Sequence, residues 1–117
     1  MTISISVVTP CLNAETYIEE CLNSISNQSA SVQIEHLVID GGSTDKTIDI
    51  LKDRNDIKWI SEKDSGQSDA YNKGIKMAQG EWIILLDGDD VLLPGAIELY
   101  LSAIEEDKKI DIIYGHT

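Results

Sequence analysis

The sequence has 117 residues, of which 42% are hydrophobic, and its 21 acidic and 9 basic residues give a net charge of −12. This size suits one domain with its own hydrophobic core. The negative charge argues against binding to nucleic acid or to an anionic membrane surface, since both require basic residues. No apolar run reaches the roughly 20 residues of a membrane span, and the first residues show no signal-peptide pattern. We therefore expect a cytoplasmic protein.

Strands and helices are predicted in alternation along the chain. Short β-branched or apolar runs bounded by polar turns predict the strands, and apolar residues at helical spacing, such as Ile18, Cys21 and Leu22, predict the helices. The strands are expected over residues 3–9, 34–40, 57–61, 81–86 and 110–114. The helices are expected over residues 14–28, from Ser43 or Thr44 to about Asp53, over about Asp69–Ala78, and from Pro94 to about Glu106.

The order of these elements predicts an α/β fold with a mostly parallel sheet and helices on both faces. The fourth predicted strand, EWIILL, is almost wholly apolar, which is typical of a central strand covered on both faces. In such sheets ligands bind at the carboxyl ends of the strands, near a switch in strand order. His36 is expected to face outward on its strand, and we assign it no role.

An acidic run, DGDD, follows the fourth predicted strand. Asp87 and Asp89 offer the hard oxygen ligands that Mg²⁺ and Mn²⁺ prefer, and such a cation often bridges to substrate phosphates. Gly88 would allow a tight turn and leave room for a ligand. The alternative is a solvated turn whose acids favour the start of the next helix. Because the apolar strand ends at the rim of the sheet, the metal site is the favoured interpretation.

Two other strand ends carry candidate binding residues. The second predicted strand ends in Asp40, which either accepts a ring N–H from a bound base or hydrogen-bonds its own turn. The first is followed by a loop with Asn13 and Glu15, which either contact a nucleotide or support the start of the next helix. Neither a P-loop nor a G-x-G-x-x-G pattern is present, so a dinucleotide-binding fold is disfavoured.

The remaining reactive residue types offer no catalytic pattern. Cys11 and Cys21 fit neither a disulfide framework nor a zinc signature and are expected to be reduced thiols. The sequence contains 2 histidines, His36 and His116, and no Ser-His-Asp arrangement stands out. Nucleophilic hydrolysis is therefore disfavoured.

Three segments of the chain together resemble a known family. They are ISVVTPCLNAETYIEECLNSISNQ, LVIDGGSTDKTIDIL and DAYNKGIKMAQGEWIILLDGDD. In this order they are similar to the N-terminal half of family 2 glycosyltransferases of the GT-A fold, and the similarity covers nearly the whole chain. The resemblance implies an enzyme of polysaccharide biosynthesis that transfers a sugar from a nucleotide-sugar, often a UDP-sugar, to a saccharide or lipid-linked acceptor. It also implies Mg²⁺ or Mn²⁺ held by a D-x-D motif and allows for a peripheral position at the inner membrane face. An exposed sheet edge or apolar face where the chain is cut would favour oligomers.

The resemblance further implies which residues bind the nucleotide-sugar. Those of the nucleotide pocket are expected to be Thr9, Pro10, Asn13, Glu15, Asp40, Asp64 and Ala70. Among them, Asp40 would face the base, and Asp64 with the segment near Ala70 would close another side of the pocket. The D-x-D motif, near the ribose and the metal-bridged diphosphate, is expected to be Asp87, Gly88 and Asp89. The metal ligands are expected among Asp87, Asp89 and Asp90.

The sequence departs from the family pattern in three ways. Gly41 stands where many members have a second Asp, and Tyr71 stands where an Arg often precedes the Asn. The family also continues past this length, and its acceptor site and catalytic base are expected beyond Thr117. Residues 1–117 are therefore interpreted as a single, truncated domain that supplies donor binding, with no catalytic base assigned.

Two other classes of protein are weighed. A receiver-like signalling domain has a similar size and alternation but needs an acidic pair after the first strand, where this chain has TPCLN. A nucleotidyltransferase shares the α/β design and metal carboxylates but usually needs a Gly-rich, basic loop at the same place. Both readings are kept as alternatives to the glycosyltransferase.

Overall fold

The computed structural model describes residues 3–29 and 31–106. The strands in this part of the chain are β1 (Ile3–Cys11), β2 (Gln33–Asp40), β3 (Lys58–Ser61) and β4 (Trp82–Leu85). The helices in this part are α1 (Ile18–Ser26), α2 (Thr47–Lys52), α3 (Gln67–Met77) and α4 (Ala96–Glu106). The strand predicted over residues 110–114 lies outside the described residues. None of the helices just named is long and apolar enough to cross a membrane.

The described strands form one parallel sheet in the order β3-β2-β1-β4. The chain moves outward from β1 through β2 to β3 and then crosses back to place β4 on the other side of β1. The switch in strand order therefore falls between the carboxyl ends of β1 and β4, which is where ligands bind in open α/β sheets. This arrangement confirms the predicted α/β fold with a parallel sheet.

Helices cover the sheet on both faces because side chains alternate along β1. Val7 packs with Cys21 of α1 and Ile97 of α4 on one face. Val8 points to the opposite face and packs with Ala70 of α3. Full burial of an apolar side chain of this size stabilises the fold by about 1.5–3 kcal/mol. The two faces together confirm the predicted layering.

Helix α1 is shorter than predicted. The apolar stripe that indicated it is buried, but the helix begins at Ile18 instead of residue 14 and ends at Ser26. The Ala14 carbonyl accepts the N–H groups of Tyr17 and Ile18 at 2.9 and 2.8 Å, which closes a turn before the helix. The Ala14 N–H in turn donates to the hydroxyl of Thr47 at 2.8 Å. Contacts across the rim therefore set the start of α1, and sequence periodicity does not show them.

Helix α2 also starts later than predicted, at Thr47 instead of directly after an N-cap at Ser43 or Thr44. The hydroxyl and N–H of Ser43 both donate to the carboxylate of Asp40. The Thr44 N–H donates to the side-chain oxygen of Asn13 at 2.8 Å. These two residues thus tie neighbouring loops together and do not cap the helix.

Strand β4 forms an edge of the described sheet. Ile83 and Leu85 are 37% and 49% exposed, whereas Trp82 and Ile84 pack against the core on the other face. Helix α3 packs over β1 and β2 and leaves the Ile83 side of β4 uncovered among residues 3–29 and 31–106. The predicted central strand covered on both faces is therefore not observed in the described part of the chain.

His36 lies inside the protein, which contradicts the predicted outward orientation. It is 3% exposed, and its Nε2 lies 2.7 Å from the hydroxyl oxygen of Thr9. Helix α1 covers this face of β2, so alternation along the strand turns His36 toward the helix. Burial lowers the pKa of His36 to about 4, so the ring is neutral at physiological pH.

Candidate functional site

A cavity of about 230 Å³ opens at the switch point between β1 and β4. We call it the rim cavity, and its lining residues are Pro10, Cys11, Leu12, Asp64, Gly66, Gln67 and Asp87. Two of these residues are acidic and none is Lys or Arg. An anionic ligand in such a place requires a cation between itself and the carboxylates.

Asp87 follows β4 by two residues and lines the rim cavity. Its Oδ1 accepts the N–H of Gly88 at 2.8 Å, and its Oδ2 accepts the side-chain amide of Gln67. Partial burial, followed by the negative charges of Asp89 and Asp90, raises the pKa of Asp87 above its ordinary value. Burial and the neighbouring acids therefore destabilise the ionised carboxylate of Asp87. A divalent cation bound to it would offset this destabilisation.

The acidic run fits one particular kind of metal site. Asp89 and Asp90 are exposed beside the partly buried Asp87. Within residues 3–29 and 31–106, no three His, Cys, Asp or Glu side chains converge closely enough to enclose a metal ion. Mg²⁺ at phosphate sites usually takes one or two carboxylates and completes its shell with substrate oxygens and water. A cation held by Asp87 would therefore take the rest of its shell from water and from the oxygens of a ligand.

Gly88 is required by close packing. Its N–H donates to the carbonyl of Pro10 at 3.0 Å. A Cβ added at this position would lie 2.9 Å from the Cβ of Cys11 and 3.1 Å from the Pro10 carbonyl oxygen. The absence of a side chain at Gly88 therefore lets the acidic run approach the end of β1.

Asp40 ends β2 and is completely buried. Its carboxylate accepts the N–H groups of Gly42 and Ser43 at 3.0 and 2.8 Å. It also accepts the Ser43 hydroxyl, the Ser61 hydroxyl at 2.8 Å and the Cys11 thiol at 3.4 Å. Burial alone would raise the pKa of Asp40, but the hydrogen bonds from Ser43 and Ser61 lower it further than burial raises it. This geometry supports the turn-holding interpretation, and direct contact with a base stays a prediction.

Asn13 and Glu15 join the loop after β1 to the loop after β2. Asn13 has a φ of 49°, a left-handed conformation that Asn adopts more readily than most residues. Its N–H donates to the Ser43 hydroxyl and its side-chain oxygen accepts the Thr44 N–H, both at 2.8 Å. The Glu15 N–H donates to Asp45 at 3.2 Å, and the Glu15 side chain is exposed. The polar groups of Asn13 thus serve the loops, and contact of either residue with a nucleotide stays a prediction.

Asp64 stands against Gly41. Its Oδ1 accepts the N–H of Gly66 at 3.0 Å. A Cβ added to Gly41 would lie 2.9 and 3.0 Å from the two carboxylate oxygens of Asp64. The Asp64 carboxylate therefore occupies the place that a side chain at position 41 would need. Many family members have an Asp where this chain has Gly41. Here the carboxylate of Asp64, from the loop between β3 and α3, lies close to that position instead.

Pro10 and Asp64 line the rim cavity, but the other residues predicted for the nucleotide pocket do not. Two of them, Thr9 and Ala70, lie in the core. Thr9 is completely buried and its hydroxyl contacts His36. Ala70 is buried on the opposite face of the sheet against Val8 and Leu37. The structure thus gives both residues core positions, and their contact with a nucleotide stays a prediction.

Gln67 and Tyr71 lie near Asp87, and neither was predicted as a site residue. Gln67 lines the rim cavity and donates to Asp87. Burial, followed by the negative charge of Asp87, raises the pKa of Tyr71. Both residues belong to α3, which begins at Gln67, within the polar stretch EKDSGQS that follows β3. This polar stretch lies at the same rim of the sheet as the acidic run, and it is the sequence feature that could have indicated both residues.

The parallel sheet, the switch point and the acidic rim cavity define an α/β domain of the Rossmann-like, nucleotide-binding class. The sequence profile described as "Glycosyl transferase family 2" matches residues 6–117. The chain therefore belongs to glycosyl transferase family 2. Membership confirms the resemblance seen in the three sequence segments, and neither the receiver-like nor the nucleotidyltransferase alternative is favoured.

Curated relatives agree with this assignment. The chain is 33% identical over 114 residues to a chondroitin synthase of Escherichia coli, which covers 94% of this chain and 16% of that protein. It is 35% identical over 118 residues to a PGL/p-HBAD biosynthesis glycosyltransferase of Mycobacterium tuberculosis, which covers 94% of this chain and 45% of that protein. The chain thus spans less than half the length of these relatives.

Solved structures show the same fold. TarS of S. aureus (residues 1–349), in complex with UDP-GlcNAc, matches with a TM-score of 0.83 and 30% identity over 91% of this chain and 32% of TarS. The mannosyltransferase PcManGT of Pyrobaculum calidifontis, in complex with GDP-Man and Mn²⁺, matches with a TM-score of 0.70 and 26% identity over 85% and 31% of the two chains. These similarities confirm the GT-A architecture.

Proposed function

We propose that this chain is the donor-binding part of a glycosyltransferase. The reaction moves a sugar from a UDP-sugar to a saccharide or lipid-linked acceptor with the help of Mg²⁺ or Mn²⁺. The observation that carries the proposal is Asp87, a partly buried acid at the switch point whose pKa is raised by its own burial and by the acids beside it. The UDP-GlcNAc bound by TarS supports the choice of donor, and the Mn²⁺ in the mannosyltransferase complex supports the cation.

The size and charge of the rim cavity fit part of a nucleotide-sugar. Its volume of about 230 Å³ lies below the roughly 300–1,000 Å³ of most ligand pockets. A nucleotide-sugar would therefore fill it and extend outward over the exposed Asp89 and Asp90. With two acids and no basic side chain in the lining, the diphosphate needs a divalent cation to approach Asp87.

Each residue near the diphosphate has a proposed task. Asp87, with Asp89 or Asp90, supplies carboxylate oxygens to the cation. Gln67 holds the Asp87 carboxylate in place through its side-chain amide. Gly88 keeps the acidic run close to the end of β1. When bound, the cation neutralises the charge that develops on the departing diphosphate.

Asp64 is proposed to select the base. Asp40 is saturated by hydrogen bonds, whereas Asp64 lines the rim cavity and accepts one hydrogen bond from Gly66. A carboxylate accepts the N3–H of uracil, while the unprotonated N3 of cytosine is an acceptor and would be repelled. In this proposal Asp40 acts indirectly, because it holds the loop that carries Gly41 against Asp64.

Calorimetry with UDP tests donor binding. We expect UDP to bind in the presence of Mn²⁺ and to bind at least roughly tenfold more weakly in EDTA, a difference of about 1.4 kcal/mol. GDP in Mn²⁺ serves as the matched nucleotide control and should bind more weakly than UDP. Equal binding of UDP with Mn²⁺ and with EDTA would remove the basis of the proposal.

The variant Asp64→Asn tests base selection separately. The amide has nearly the same shape but offers both a donor and an acceptor, so it can pair with either pyrimidine. We expect the preference for UDP over CDP to fall by roughly tenfold, the size of a charged hydrogen bond of about 1.5 kcal/mol. The same preference in wild type and variant would exclude Asp64 as the selecting residue without affecting the proposal for Asp87.

A further inference from the structure

A second cavity lies beneath α1, away from the carboxyl rim of the sheet. Its volume is about 250 Å³, and its lining residues are Leu22, Ile25, Ser26, Gln28, Ile34, His36 and Asp56. We call it the α1 cavity. It shares no lining residue with the rim cavity. Three aliphatic side chains give it an apolar wall, and His36 gives it a buried polar group.

His36 has an unused hydrogen-bonding atom. Its Nε2 pairs with the Thr9 hydroxyl at 2.7 Å. Its Nδ1 is buried and has no hydrogen-bond partner among residues 3–29 and 31–106. Buried polar atoms in proteins are nearly always paired, because leaving one unpaired costs free energy. The α1 cavity, which His36 lines, is the place from which a partner can come.

Polar contacts connect this histidine to the acidic run. The thiol of Cys21 lies 3.7 Å from the backbone carbonyl of Asp87 and can donate to it. Burial raises the pKa of Cys21 to about 12, and the neighbouring Thr9 hydroxyl acts in the opposite direction. If Thr9 donates to Cys21, its oxygen must accept from His36 Nε2–H. His36 Nδ1 is then an acceptor, so its missing partner must be a donor.

We propose that the α1 cavity binds a small molecule that combines an apolar body with one hydrogen-bond donor, which pairs with His36 Nδ1. Occupancy fixes the tautomer of His36 and, through Thr9 and Cys21, orders the backbone at Asp87. Binding of the small molecule in the α1 cavity is independent of the proposed binding of a nucleotide-sugar at the rim cavity. The transmission step rests on contacts and does not require that the chain bind a nucleotide-sugar.

Phenol and toluene form a matched pair of probes, because they have the same shape and only phenol carries a donor. Each is titrated into the full chain while ¹⁵N NMR follows the imidazole nitrogens of the 2 histidines. We expect saturable binding of phenol with a shift of His36 Nδ1, and roughly fivefold to tenfold weaker binding of toluene. Equal affinity for the two probes, or no saturable binding of phenol, overturns the proposal.

The variant Ser26→Trp places a large side chain over the α1 cavity. Ser26 is exposed on α1, so this change leaves the core side of the helix intact. We expect Ser26→Trp to lose phenol binding by at least roughly tenfold while its circular dichroism matches that of the wild type. Undiminished phenol binding overturns the placement of the site. If this variant does not fold, the comparison of phenol with toluene on the wild type still decides the proposal.

The effect of phenol on the rim of the sheet is measured at the backbone N–H of Gly88, which donates to the Pro10 carbonyl and to the Asp87 carboxylate. We expect phenol to shift the Gly88 amide resonance in the wild type and in Cys21→Ser, which retains a donor. Cys21→Ala should bind phenol with the same affinity but show no Gly88 shift. A Gly88 response that survives in Cys21→Ala, or is absent in the wild type, contradicts the transmission step. Failure of UDP binding would change neither readout.

Discussion

Two acidic loops at the same rim of the sheet use their carboxylates in opposite ways. Asp40, at the end of β2, is completely buried and accepts hydrogen bonds from four surrounding residues. Asp87, after β4, remains partly exposed and accepts hydrogen bonds from Gln67 and Gly88. The pKa of Asp40 is lowered because its hydrogen bonds outweigh burial, whereas burial and neighbouring acids raise the pKa of Asp87.

On the proposed function, the difference separates a structural acid, Asp40, from a binding acid, Asp87. A carboxylate that the protein already satisfies stabilises the loop and has little left to offer a ligand. A carboxylate that its neighbours repel gains most from a cation. Both acids follow apolar strands and precede glycine, so their sequence contexts look alike. Only the partners that the fold brings to each side chain distinguish them.

The largest expected effect comes from Asp40→Asn. The amide keeps one acceptor oxygen but turns an NH₂ group toward buried donors, so hydrogen bonds in the loop are lost. We expect the free energy of unfolding to fall by about 3 kcal/mol, measured by urea denaturation. Asp49→Asn, at an exposed position on α2, is the matched control and should change stability far less. A fall no greater than that of the control would show that Asp40 is not structural.

A somewhat smaller effect is expected for Gly88→Ala. The added methyl group would meet the Cβ of Cys11 at 2.9 Å, and backbone movement is needed to relieve the contact. We expect a loss of about 2 kcal/mol in the free energy of unfolding together with weaker Mn²⁺-dependent UDP binding. Asp89→Ala changes the neighbouring exposed residue and should not lower stability, because it removes a charge that repels Asp87. Wild-type stability in Gly88→Ala would mean that the acidic run is not packed against β1.

Asn13 offers a finer test of the β2 loop. Asn13→Gly keeps the left-handed backbone and removes the hydrogen bond to Thr44, so we expect a loss of about 1 kcal/mol. Asn13→Ala loses the same hydrogen bond and also places a residue with a β-carbon in the left-handed conformation, which costs about 1–2 kcal/mol more. Urea denaturation of both variants measures the difference. Equal stabilities would argue against the left-handed conformation.

The two acids should also respond oppositely to pH. The folded-state pKa of Asp40 is below its ordinary value of 3.8, so its stabilisation is present above that value and is lost as pH falls through the folded pKa. The folded-state pKa of Asp87 is above 3.8, so the wild type is relatively destabilised once pH rises through it.

Denaturation of both Asn variants against pH measures this contrast. The deficit of Asp40→Asn should shrink in acid. Asp87→Asn should exceed the wild type in stability at neutral pH, and this advantage should vanish below about pH 4. Parallel pH curves for the two variants would contradict the comparison of the loops.

Much of the fold was predictable because it depends on local patterns. Alternating strand and helix signals gave the parallel α/β sheet, and the apolar stripe of α1 was correctly placed. The starts of α1 and α2 were wrong because Ala14, Ser43 and Thr44 bond to partners that are distant in sequence. Long-range hydrogen bonds of this kind leave no periodic signal.

The position of the acidic run on the sheet was predictable, whereas the contacts of the residues around it were not. The acidic run at Asp87 was expected at the rim of the sheet, because parallel strands bring their carboxyl ends together, and the strand order adds that this part of the rim is the switch point. The buried network around Asp40 and the inward orientation of His36 depend on which helix covers which face. The contact between Gly41 and Asp64 depends on the path of the β3–α3 loop. None of these can be read from spacing within one segment.

The most direct test of the central claim compares Mn²⁺-dependent UDP binding in Asp87→Asn and Asp40→Asn, at a temperature where circular dichroism shows both to be folded. We expect Asp87→Asn to lose the gain in UDP affinity that Mn²⁺ gives the wild type, a loss of at least roughly tenfold. Asp40→Asn should retain most of that gain. An undiminished Mn²⁺ effect in Asp87→Asn, or its loss in Asp40→Asn alone, would contradict the assignment of Asp87 as the binding acid and Asp40 as the structural one.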